Sequence, residues 1–178
     1  MLHPRSQTSR PLIGERRLQR RIQRLAEEIS ADAAEGELVL VGLLKGSFMF
    51  IADLARRFYR LHLPLVIDFM LVSSYGAAPV SSGKVRLLRD VSVGIRGRRV
   101  LLVDDILDTG RTLDFAVRHL RRLRPAVLKT CVLLDKPARR TVACRADYVG
   151  FTIPDEFVTG YGLDHAGRCR EQPFLTVL

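Results

Sequence analysis

Val100-Leu101-Leu102-Val103-Asp104-Asp105-Ile106-Leu107-Asp108-Thr109-Gly110-Arg111-Thr112-Leu113 decides how this chain folds. Its apolar start reads as a strand buried on both faces, as in a parallel sheet. The strand is expected to stop at the adjacent carboxylates Asp104 and Asp105. A helix follows, because Leu113, Ala116, Val117, Leu120 and Leu123 recur at helical spacing. The polar cluster therefore lies at a strand-to-helix turn, where open α/β sheets take their ligands.

The turn has two electrostatic halves. Thr109, Gly110, Arg111 and Thr112 offer backbone N–H groups, two hydroxyls and a guanidinium at a helix start, which suits a phosphate. Gly110 lets the backbone approach the anion without a Cβ between them. Asp104 and Asp105 only accept, so they repel phosphate and suit sugar hydroxyls or a hydrated divalent cation. Together the halves describe a ribose 5-phosphate. An ordinary helix cap needs one short polar residue and leaves most of this set unexplained.

The rest of the chain agrees with one domain spanning residues 1–178. That length buries a full core, and 47% hydrophobic residues with no Trp suit an aliphatic α/β sandwich. Alternating elements are expected. A basic helix runs over about Glu15–Ala33, a buried strand over Leu38–Leu44, a helix over Phe48–Tyr59 and a long strand over Leu63–Tyr75. A small polar loop over Gly76–Gly83 leads to a hairpin return over Val85–Val91. A buried strand over Ala126–Asp135 and two short strands near Tyr148–Phe151 and Phe157–Val158 follow. This βαβ rhythm predicts a mainly parallel central sheet with helices on both faces.

Composition also excludes classes. No apolar run approaches the roughly 18 residues of a membrane span, and Met1–Arg17 has no signal-type apolar region. Cys131, Cys144 and Cys169 are widely spaced and odd in number, which fits reduced thiols in a cytoplasm. The net charge of +10 gathers partly at Arg16, Arg17, Arg20, Arg21 and Arg24, opposite an apolar stripe of Leu18, Ile22, Leu25 and Ile29. Without interleaved aromatics or a zinc pattern, that face weighs against nucleic acid as a partner. A positive field still draws anionic substrates.

Four further places carry polar groups at structural boundaries. Lys45-Gly46-Ser47 ends the first buried strand and presents an ammonium and N–H groups to an anion, or simply starts a helix. Ser74-Tyr75 ends the long strand before the small polar loop. Lys136-Pro137 ends a buried strand; its donor-only ammonium selects a ring carbonyl over an amino group, unless it is a surface lysine. The run from Val149 to Asp164, with Arg168 and Arg170 beyond, places Phe157 beside an extended Val158, either to stack on a flat base or as core. His3, His62, His119 and His165 read as structural or surface residues.

The Val100–Leu113 stretch closely resembles the phosphoribosyl-pyrophosphate signature of type I phosphoribosyltransferases: apolar strand, two acids, two apolar residues, then Asp-Thr-Gly-x-Thr. The Leu134-Asp135-Lys136-Pro137 segment and the Gly150-Phe151-x-Ile153-Pro154-Asp155-x-Phe157-Val158-x-Gly160-Tyr161-Gly162-Leu163-Asp164 pattern resemble the members that use 6-oxopurines. The likeness covers about Val39–Arg170. It implies that family's α/β fold, a mainly parallel sheet flanked by helices with a small hood and a flexible lid. It implies transfer of 5-phosphoribosyl to N9 of hypoxanthine or guanine, giving IMP or GMP and pyrophosphate, with Mg²⁺, in purine salvage.

The resemblance also assigns roles. Asp104, Asp105, Asp108, Thr109, Gly110, Arg111 and Thr112 hold ribose and 5-phosphate, and Asp108 is the catalytic residue. Lys45, Gly46 and Arg170 bind pyrophosphate. Ser74 and Tyr75 head the lid. Lys136, Phe157, Val158 and Asp164 read the purine, and Asp104, Asp105 and Asp164 face the metal. Asp104 stands where many relatives have Glu, and Arg111 adds charge beside the phosphate. A homo-oligomer, dimer or tetramer, rests on the resemblance alone. Two rivals remain: an RNA-binding regulator on the same fold, related to pyrimidine-operon attenuators, and a xanthine-preferring enzyme.

Overall fold

The computed structural model describes residues 11–33, 36–74 and 85–178. Expected features that fall on Tyr75 and Gly76–Gly83 lie outside them, as does the side chain of Ser74. The main sheet has the order β3-β2-β1-β4-β5-β6. Its strands are β1 (Leu38–Leu44), β2 (Leu65–Ser74), β3 (Val85–Arg89), β4 (Arg99–Leu107), β5 (Val127–Asp135) and β6 (Tyr148–Thr152). β2, β1, β4, β5 and β6 run parallel, and β3 returns antiparallel on β2.

β1 and β4 are central, which explains their nearly unbroken burial. Helices α1 (Glu15–Asp32) and α2 (Phe48–Arg60) cover one face, and α3 (Arg111–Arg122) covers the other. The α1 stripe is buried as expected, with Ala26 added. One expectation fails. β4 does not stop at the carboxylates; it continues through them, pairing Asp104 with Val132 and Leu107 with Asp135. Backbone hydrogen bonding to β5 carries the strand past the point where its apolar pattern ends.

From β1 the chain crosses through α2 to β2 on one side. From β4 it crosses through α3 to β5 on the other. The order reverses between β1 and β4, so a crevice opens beyond their carboxyl ends. A small ribbon of β7 (Val158–Thr159) and β8 (Thr176–Val177), with an Ile13–Leu175 bridge, closes over that end as a hood. β8 carries too few residues for a sequence pattern to reveal. At the sheet edge Arg21 of α1 donates to the Val149 and Gly150 carbonyls of β6, at 2.8 and 2.9 Å, and pairs with Glu28. Cys131, Cys144 and Cys169 are free thiols.

Candidate active site

The crevice holds a cavity of about 480 Å³. Lys45 and Gly46 line it from the end of β1, Asp104 to Leu113 from β4 into α3, and Asp164 and Arg170 from the hood. The structure thus brings together the expected ribose, phosphate and pyrophosphate residues from three separate parts of the chain.

The half expected to take the phosphate is a helix N-terminus. Gly110 caps α3 at φ +88°, a left-handed conformation that favours glycine. This is a second reason for glycine at position 110, beside the expected approach of an anion. The first-turn N–H groups of α3 have no partners within the helix, and the macrodipole adds positive charge there. Behind the turn, the Thr109 carbonyl accepts from the N–H groups of Thr141 and Val142, at 3.0 and 3.3 Å, fixing the loop from outside.

The acidic half is tightly packed. Asp104 is buried and its Oδ1 accepts the Asp105 N–H at 3.0 Å; Asp105 Oδ1 accepts the Ile106 N–H at 2.9 Å. Burial, then the adjacent Asp105 charge, pushes the Asp104 carboxyl well above the ordinary carboxylate range. Burial also raises Asp105, against the pull of its hydrogen bonds and of Arg170. A pair of crowded, desolvated acids is stabilised by a cation, so the donor set fits Mg²⁺.

The third expected ligand does not join them. Asp164 Oδ1 pairs with Arg170 at 2.6 Å and Oδ2 accepts the Gly167 N–H at 2.8 Å. Among the described residues, no three His, Cys, Asp or Glu side chains gather into a metal site. Oxygens from substrate or water would have to complete the shell.

The Lys45-Gly46 loop, expected to bind pyrophosphate, is squeezed. A Cβ on Gly46 would fall 2.5 Å from Asp105 Cγ and closer still to its Oδ2. A Cβ on Gly162 would fall 3.1 Å from the Gly46 carbonyl carbon and closer to its oxygen. The Leu44–Lys45 peptide is cis. Arg170 donates to the Gly162 carbonyl at 2.6 Å, fixing the hood turn.

Asp108 lies at the mouth of the cavity, and its Oδ1 sits 3.3 Å from Arg139 Nε. Arg139, a cavity residue missed in the sequence, also faces Asp155 at 3.7 Å. Arg140, missed as well, donates to the Leu107 carbonyl at 2.9 Å and to the Asp108 carbonyl, and pairs with Asp135. It clamps the end of β4 to the end of β5. Nothing in the spacing of two arginines after Pro137 separates these jobs.

Of the residues expected to read the purine, Lys136, Phe157 and Val158 lie beside the cavity, whereas Asp164 is part of its wall. Lys136 is buried, with Nζ donating to the Glu156 carbonyl at 2.5 Å. The surface-lysine alternative is therefore wrong. Phe157 is 56% exposed and meets His165 edge-on, with ring centroids 5.9 Å apart. Val158 is buried in β7, where it pairs with Val177. His119 sits on the surface side of α3, paired with Asp90 at 2.8 Å.

Comparison with known proteins agrees with the geometry. Residues 14–166 match the family model described as phosphoribosyl transferase domain. The hypoxanthine-guanine phosphoribosyltransferase of Aquifex aeolicus is 48% identical over 163 residues, covering 91% of this chain and 90% of that protein. The bifunctional protein TilS/HprT of Listeria innocua is 45% identical over 167 residues, but the chain spans only 25% of its length. Among solved structures, the hypoxanthine phosphoribosyltransferase of Trypanosoma cruzi in complex with the product IMP superposes with a TM-score of 0.89. It is 42% identical, with 97% of this chain and 95% of that one covered. With its signature turn, its crevice and these relatives in agreement, the chain belongs to the hypoxanthine-guanine phosphoribosyltransferases of the phosphoribosyl transferase domain family.

Proposed function

We propose that the chain transfers 5-phosphoribosyl from phosphoribosyl pyrophosphate to N9 of hypoxanthine or guanine, releasing pyrophosphate, as a purine salvage enzyme. The observation that carries this reading is the single cavity where the acid pair, the α3 N-terminus, Lys45-Gly46 and Arg170 converge. Thr109 to Thr112 grip the 5-phosphate through N–H groups, hydroxyls and the Arg111 guanidinium. Asp104 and Asp105 accept from the ribose hydroxyls. Bond breaking leaves positive charge on the anomeric carbon, so fixed electrostatics and positioning lower the barrier. Lys45, Arg170 and the Gly46 N–H receive charge on the departing pyrophosphate.

Asp108 accepts a hydrogen bond or proton at purine N7 while N9 attacks, which requires its carboxylate to turn from Arg139. Lys136 reads the 6-oxo group, Phe157 stacks on the ring and Val158 meets its edge. Ser74 and Tyr75 head a lid that excludes water from the reacting centre. Mg²⁺, when bound, neutralises charge on the leaving group. Asp104 and Asp105 would hold it with substrate oxygens, and Asp164 would join them only on releasing Arg170.

No helix of the described residues is long and apolar enough to cross a membrane. The reduced thiols and salvage role support a cytoplasmic enzyme acting on small molecules. Exposed Phe48 and Tyr59 on α2 support a homo-oligomer. The test is a panel of hypoxanthine, guanine, xanthine, adenine and uracil with phosphoribosyl pyrophosphate and Mg²⁺. Turnover of hypoxanthine or guanine and not of adenine or uracil is expected. A preference for adenine or uracil, or turnover with none of the five, overturns the reading, and a preference for xanthine selects the rival enzyme.

A further inference from the structure

Behind the cavity, three parts of the chain meet at one carboxylate. Asp53 of α2 accepts from the Tyr161 hydroxyl at 2.5 Å and from Gln19 Nε2 of α1 at 2.8 Å, both on Oδ2. Arg56 and Arg57 face its other oxygen at 3.1 and 3.8 Å. Tyr161 is 1% exposed and sits at φ +48° between Gly160 and Gly162, both at positive φ. A buried tyrosine in a left-handed turn is held there by its surroundings. Its hydroxyl is satisfied by Asp53, and its N–H donates to the Gln172 carbonyl at 2.9 Å.

The two ends of this link carry the two halves of the pyrophosphate grip. α2 begins at Phe48, directly after Lys45-Gly46-Ser47, and Asp53 is less than two turns further on. Tyr161 precedes Gly162, whose carbonyl holds Arg170 and whose α-carbon packs on the Gly46 carbonyl. We propose that the Asp53–Tyr161 hydrogen bond is a positioning strut that sets the spacing between the Lys45-Gly46 loop and the Arg170 turn. Neither residue touches the cavity, so they act through the groups they hold. The strut does not hold Val158 or Lys136: Val158 is fixed by Val177 of β8, and Lys136 by the Glu156 carbonyl.

This proposal rests on the active-site reading above. It predicts a selective defect. Tyr161→Phe keeps the buried ring and removes only the donor. It should raise KM for phosphoribosyl pyrophosphate about tenfold and leave KM for hypoxanthine within about twofold, since ångström-scale misplacement of binding groups is expensive. Asp53→Ala should reproduce that defect, and Asp53→Asn, whose carbonyl oxygen still accepts from Tyr161, should restore most of the lost affinity. Combining Tyr161→Phe with Asp53→Ala should add little, because both break one link.

Steady-state kinetics of the wild type and these four variants, with thermal melts as a folding check, decide the matter. The proposal is overturned if folded Tyr161→Phe keeps its phosphoribosyl-pyrophosphate KM within twofold. Equal shifts in both KM values, or a fully additive double variant, overturn it too. If Tyr161→Phe does not fold, Asp53→Ala against Asp53→Asn applies the same criteria. An inactive wild-type protein refutes the functional reading and the strut with it; an active one with an insensitive Tyr161→Phe refutes the strut alone.

Discussion

Replacing Gly46 with Ala separates activity from stability in a way the geometry makes quantitative. The new Cβ would sit 2.5 Å from Asp105 Cγ, where ordinary contact begins at 3.4 Å. Its Oδ2 would lie closer still, so the Asp105 carboxylate must retreat by well over about 1 Å or swing to another rotamer. A swing breaks no apolar packing, since the nearest neighbours of the new methyl all belong to that carboxylate. Folding should suffer by no more than about 1–2 kcal/mol, a few degrees in Tm for a chain of this size. Catalysis should suffer more, because a misplacement of about 1 Å can cost on the order of 100-fold, or about 2.7 kcal/mol of barrier.

The assay is IMP formation with phosphoribosyl pyrophosphate varied at saturating hypoxanthine, beside a thermal melt. Gly42→Ala is the control: its Cβ would strike Ile51 and Phe69 in the core, so it should lower Tm and leave kcat nearly intact. A Gly46→Ala protein with kcat/KM within threefold of wild type would refute the claim that Asp105 must occupy that position.

Three other outcomes are expected. Asp108→Asn should lower kcat by roughly 100- to 1,000-fold, as loss of a general base does, while calorimetry finds phosphoribosyl-pyrophosphate binding largely intact; unchanged turnover removes Asp108 from its role. Lys136→Ala should reduce the preference for hypoxanthine over adenine at least about tenfold, since a buried donor to the 6-oxo group is lost; an undiminished ratio in the base panel would show that Lys136 does not read the carbonyl. Asp68 is buried, which raises its pKa, but N–H groups of Val93, Phe69 and Ser92 outweigh this and hold it below the usual carboxylate value. A carboxyl lowered by folding stabilises the native state above its unfolded pKa of about 4, and that contribution is lost as pH falls through the folded value. The Tm gap between wild type and Asp68→Asn, roughly 5 °C at pH 6, should therefore shrink steadily towards pH 2–3; a constant gap in a pH series of melts would contradict this.

The sequence was most legible where burial is periodic or continuous. The Leu18, Ile22, Leu25 and Ile29 stripe and the Leu38–Leu44 run announce α1 and β1, because one face or both meet the core. The strand-to-helix turn is equally plain, since its polar groups are adjacent in the chain between a strand and a helical stripe. Charge misled at Asp104 and Asp105, where pairing with β5 keeps polar residues in a strand. Contacts between distant segments left no trace. Arg140 clamping β4 to β5, Arg139 facing Asp108, and Asp53 meeting Tyr161 across 108 residues have no local spacing to give them away. Asp164 shows the same limit, since only the fold turns it towards Arg170.

Arg21 has a consequence outside catalysis. β6 ends the sheet, and a bare outer strand is a template on which another chain can add itself. By binding the Val149 and Gly150 carbonyls, one guanidinium engages backbone acceptors of this outer strand, and α1 lies against the same strand. At the opposite border, β3 shows exposed charge at Arg86 and Arg89, which discourages stacking between copies. Among the described residues, arginine thus stands at both margins of the sheet, where a bare edge would be a template for a further strand.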